Sequence, residues 1–126
     1  MRFAWLLLVT ACASTPAVSP APDCRTVSRS NPLASAHDVR PLYATQSGKA
    51  GPTNRLLGAT VVVDAQAGQS QELLQHEIDC SEPAPLGVQG ARAIVAHGEG
   101  AFRVAITSDD SDEAEEILRR ATALPR

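Results

Sequence analysis

His76 and Cys80 are the two side chains in this sequence whose types and spacing most resemble a reactive site. On a helix, residues four apart project from one side, about 40° apart around the axis. That geometry suits two ligands of a zinc or copper ion. His97, at the end of a candidate strand, is the candidate third ligand. Two ligands alone fall short of the three or four that such sites need. Leu73 beside the pair also fits a plainer reading, a half-buried histidine and a buried or disulfide-bonded cysteine. Cys80 as nucleophile with His76 as base requires a cleft that a core this small can hardly supply.

Other chemistry is harder to find. No strand-turn-helix nucleophile elbow and no glycine-rich phosphate loop is present. Asp109, Asp110 and Asp112 are as dense in acid as a calcium loop, but they lack its regular alternation and its closing glutamate. They read better as helix caps. The chain is expected to be noncatalytic and to use no cofactor.

The amino terminus is more specific. Arg2 is followed by an apolar run from Phe3 to Val9, then by small residues and Cys12. A positive start, an apolar stretch and a small-residue cut site are the pattern of a secretory signal. The run is far shorter than the roughly 20 residues that a membrane-crossing helix requires. Val9-Thr10-Ala11-Cys12 resembles the lipobox of bacterial lipoproteins. That resemblance implies removal of residues 1–11 and attachment of diacylglycerol to the Cys12 sulfur. One acyl chain anchors marginally, at about 0.8 kcal/mol per buried methylene, so stable anchoring takes at least two. Ala13, rather than aspartate, follows the cysteine, which by the enteric sorting rule implies the outer membrane, facing the periplasm.

In an exported, oxidising setting the two remaining cysteines, Cys24 and Cys80, are a candidate disulfide. Two free thiols, or pairing with another chain, stay open on sequence alone. Charge divides unevenly along the chain. Residues 13–58 carry five basic and two acidic side chains, whereas 59–126 carry five basic and twelve acidic. An acidic folded half argues against nucleic acid as a partner, because phosphate binding needs clustered Lys and Arg. Only four residues are aromatic, so the core must be built from Ala, Val, Leu and Ile.

These features set the expected organisation. Residues 12–36, rich in Ala, Ser and Pro, read as a flexible tether, extended at about 3.1 Å per residue where polyproline-like. Residues 37–58 read as an irregular segment with one candidate edge strand near Val39–Thr45, since Pro41 excludes a central place. The folded domain is expected over 59–126. It begins with a β-branched strand at 59–65 and a helix capped by Ser70, with Leu73, Leu74 and Ile78 inward. A hairpin turning at Gly98-Glu99-Gly100 follows, with Val95 opposite Val104 and Ala93 opposite Ile106. A final helix follows Ser108-Asp-Asp-Ser-Asp-Glu113, which offers several N-caps, with Asp110 and Glu113 at capping-box spacing. Its Glu115–Arg119 and Glu116–Arg120 pairs are in the favourable i, i+4 order. The order β-α-β-β-α predicts an α+β open sandwich, with two helices on one face and a right-handed crossover between the first two strands. In the split βαβ pattern the Phe102 strand lies between those two. One sheet face and at least one edge are then left uncovered, a natural place for a partner strand.

The stretch Leu74-Gln-His-Glu-Ile-Asp-Cys80, with Ala114-Glu-Glu-Ile-Leu-Arg-Arg-Ala121, is similar to small uncharacterised lipoproteins of Gram-negative bacteria, and brings no activity with it. The leading reading is a membrane-anchored, noncatalytic interaction module with an envelope protein as partner. The alternative is a periplasmic zinc or copper carrier using His76 and Cys80.

Overall fold

The computed structural model describes residues 23–25, 31–81 and 85–125. The signal expected at 1–11, Cys12 as the expected lipid site and most of the tether expected at 12–36 lie outside the described residues.

Four strands and two helices form an α+β fold. They are β1 (His37–Gly48), β2 (Gly51–Asp64), α1 (Gln71–Asp79), β3 (Arg92–His97), β4 (Ala101–Thr107) and α2 (Ser111–Thr122). The strands make one antiparallel sheet in the order β1-β2-β4-β3. β4, the strand of Phe102, therefore sits between β2 and β3, and α1 forms the crossover connecting those two. Alternation sorts the side chains cleanly. Ala59, Val61 and Val63 of β2, Phe102, Val104 and Ile106 of β4, and Ala93 and Val95 of β3 are buried on one face. Leu74 and Ile78 of α1 and Ala114, Ile117 and Ala121 of α2 are buried with them. The predicted hairpin register is observed: Val95 pairs with Val104 and Ala93 with Ile106.

The segment 37–58 holds the edge strand expected near Val39–Thr45, but the rest of its sequence reading is corrected. It is not irregular: it supplies β1 and the first half of β2, joined by a tight turn at Lys49-Ala50. The domain therefore has one strand more than expected and begins before residue 59. Its start also lies inside the segment assigned to the tether, since Leu33 and Ala36 are buried in the core. The alternating pattern is hidden by two register shifts, between His37 and Arg40 and between Leu42 and Tyr43. Such bulges put two residues of one strand against one of its neighbour and break period two. At the second, Gly58 has φ +150°, and a Cβ there would meet the Ile106 carbonyl oxygen, so no larger residue fits.

α1 is capped by Ser70, whose Oγ accepts from Leu73 N–H at 3.1 Å. Leu73, expected inward, is 44% exposed; the inward arc is narrower and holds Leu74 and Ile78. α2 is capped by Asp110, which accepts from the amides of Asp112 and Glu113. The Glu113 carboxylate does not close a capping box. It accepts from Ser108 Oγ, which in turn accepts from Asp110 N–H, so the nearly fully buried Ser108 relays between them.

On the outer side of α2, Glu116 takes both arginines, Arg119 and Arg120, so the expected Glu115–Arg119 pair does not form. Arg120 also donates to the Leu86 carbonyl at 2.9 Å, tying α2 to the loop before β3. The hydrogen bonds from Arg119 and Arg120 lower the Glu116 pKa to about 2, from 4.5. A carboxylate depressed in the fold stabilises it above its unfolded pKa and loses that contribution as pH falls through the folded value. Glu116→Gln should therefore be less stable than the parent at neutral pH. The gap should close as pH falls from about 4.5 towards 2. Parallel acid titrations followed by circular dichroism check this.

Candidate interaction surface

The predicted reactive residues do not assemble into a reactive site. The structure joins Cys80 to Cys24 in a disulfide, with Cα atoms 5.4 Å apart. His76 Nε2 lies 4.0 Å from the Cys80 sulfur, yet that sulfur has no thiolate to offer a metal or a substrate while it is bonded. His97 stands exposed at the end of β3, its ring edge-on to Phe102 with centroids 5.7 Å apart. Among the described residues, no three His, Cys, Asp or Glu side chains are grouped so as to hold a metal ion. Of the three aspartates, Asp110 caps α2, Asp112 lies in its first turn, and Asp109 meets Arg92 at 2.6 Å.

The surface left by the fold is the sheet face turned away from the helices. Its central row runs across all four strands as Arg40, Thr60, Ala105 and Ile94. Beside it, His37, Val62, Arg103 and Ala96 form a second row. The middle of this face holds the small Thr60, Val62 and Ala105 beside Arg103, and Ile94 stands out at 66% exposed. Charge is placed around it. His37 Nε2 bonds Asp64 at 2.9 Å, Arg40 meets Asp38 at 3.4 Å, and Arg92 is held by Asp109. Exposed pairs of this kind contribute little to stability. Arg103 differs, making no ion pair with another described residue although it lies centrally between Val62 and Ala96. Small side chains around a guanidinium that pairs with no other described residue suit a protein surface that is partly apolar and carries a carboxylate.

A second feature lies under the β1–β2 hairpin. Leu56, Leu118, Thr122 and Ala123 line an apolar groove flanked by Glu115 and Arg119 of α2. Leu56 pairs across the hairpin with Tyr43, itself 55% exposed.

The two sheet edges, β1 and β3, differ. β3 is an edge strand, but α1 crosses beside it and covers its outward backbone groups. Gln75 Nε2 donates to the Ala93 carbonyl at 2.9 Å, and its Oε1 accepts from Val95 N–H at 2.8 Å. Gln71 Nε2 donates to the Val95 carbonyl at 3.0 Å. Two glutamines one helical turn apart thus stand in for a neighbouring strand, closing an edge that would otherwise invite pairing. Gln75→Ala leaves a donor and an acceptor without their partner and should cost about 1–3 kcal/mol, read by denaturant unfolding. Gln71 and Gln75 carried no sequence signal beyond their i, i+4 spacing on a helix that crosses a strand edge.

Comparison of the chain with protein-family models, with curated proteins and with solved structures finds no match.

Proposed function

We propose that the protein is a bacterial lipoprotein, held through acylated Cys12 to the cell envelope, whose small domain is a noncatalytic interaction module. The observation that carries the anchor is the Val9-Thr10-Ala11-Cys12 motif behind a short positive and apolar leader. Ala13 favours the outer membrane, with the domain facing the periplasm. The uncovered sheet face supports the binding role, and its partner is an envelope protein presenting a partly apolar surface with acidic groups to meet Arg103.

Two measurements test the two halves. Cys12→Ser should move the protein from the membrane fraction to the soluble envelope fraction; unchanged partitioning removes the anchor. Arg103→Glu reverses the charge at the centre of the face without touching the core. It should lower recovery of a cross-linked partner about tenfold while leaving the melting temperature unchanged. Equal recovery from both proteins removes this face as the binding surface.

A further inference from the structure

A four-stranded open sheet has two edges, and here they differ. Gln71 and Gln75 close β3. On β1 the first half carries a bulge between His37 and Arg40, its register shifts again at Leu42–Tyr43 where β2 has the extra residue Leu57, and Pro41 has no N–H to give. What remains is Tyr43-Ala-Thr-Gln-Ser47, a regular stretch with no charge, no proline and no bulge. It lies where the hairpin runs on beyond the rest of the sheet, because β4 pairs with β2 only from Gly58 onward. A two-stranded ribbon without further strands or a core beneath it is marginal in water.

We propose that this stretch pairs with the same stretch of a second copy of the chain, antiparallel about a twofold axis at Thr45. The register within the hairpin fixes what meets what. Thr45 faces the partner's Thr45, and each is backed by the Asn54 to which its Oγ1 donates at 3.2 Å. Threonine opposite threonine is a favourable cross-strand pair. Tyr43 faces the partner's Ser47, a small residue that leaves the ring room to reach Pro52 behind it. The half-exposed tyrosine is thereby covered. No cation directly faces another, since Arg40 comes opposite the partner's Ala50 and Lys49 opposite the partner's Pro41. A heterologous strand would need no such coincidence; a chain that pairs with itself must avoid facing its own charges.

One strand pair with a tyrosine contact is a small interface, so the dimer is concentration-dependent. It does not rest on the lipid anchor, although anchoring on a surface would raise the effective concentration. The test uses the purified full chain in mild detergent, followed by sedimentation as its concentration is raised into the millimolar range. The parent should double its protein mass. Thr45→Lys and Thr45→Glu, each placing like charges across the axis, should stay monomeric with unchanged melting temperatures, and an equimolar mixture of the two should recover the dimer. A parent that stays monomeric overturns the proposal. So does a dimer that survives either variant, or a mixture that fails to associate.

Discussion

Reducing the Cys24–Cys80 disulfide is expected to lower the unfolding free energy by about 4 kcal/mol. The bond closes a loop over a sequence separation of 56 residues. Fixing the ends of so long a loop removes entropy from the unfolded chain in proportion to the logarithm of its length, which gives about that value. All of β1 and β2 lies inside the loop, so the reduced unfolded chain regains the freedom of half the sheet. The folded state should keep its shape, because the α1 terminus is also held by Cys80 N–H donating to the His76 carbonyl at 3.0 Å. Since domains of this kind have only about 5–15 kcal/mol to lose, the effect should be plain in a denaturant titration with and without reductant. A Cys24→Ser, Cys80→Ser double variant should behave like the reduced parent. A loss below about 1 kcal/mol would mean that the unfolded chain is already compact enough to keep these ends together.

The second large effect belongs to Ile106. It is fully buried near the C-terminal end of β4, with Ala59 and Ala93 as its neighbours across the sheet. Both are too small to swing into a void. Ile106→Ala should therefore fall towards the upper end of the roughly 2–5 kcal/mol for such truncations, since the cost rises with the cavity left behind. Ile94→Ala is the control. The same change at an exposed position on the neighbouring strand should stay within about 0.5 kcal/mol. Equal losses at the two positions would mean that the helix layer does not pack on the face assigned to it.

How much of this was legible depended on whether the deciding information was local. α2 could be read because its cap, its apolar arc and its basic last turn sit within twelve residues. The β3–β4 hairpin was equally local: alternation in β4 and the glycines of the turn set the register. The edge strand at Val39–Thr45 could be read from Pro41, but the rest of β1 and the first half of β2 could not, because register shifts scramble the alternation and because Thr, Gln, Ser and Gly read as loop when no core lies against them. The same glycines and proline that punctuate a loop here flank a two-residue turn. Leu73 was misplaced because a short helix beside an edge strand buries a narrower arc than its apolar count suggests. The roles of Gln71 and Gln75 come from tertiary crossing alone. The Ser108 relay was likewise hidden behind a better-known spacing, Asp110 to Glu113. Nothing in the spacing of Cys24 and Cys80 sets the 5.4 Å between their Cα atoms.

The two glutamines of α1 have a consequence for growth. A plank sticky along both sides stacks without end, which is how sheets become fibres. With one side sealed, joining a single neighbour uses up the only adhesive margin, and the assembly terminates at a pair. Unsealing β3, by shortening both Gln71 and Gln75, would remove that stop and turn a self-limiting module into one able to polymerise.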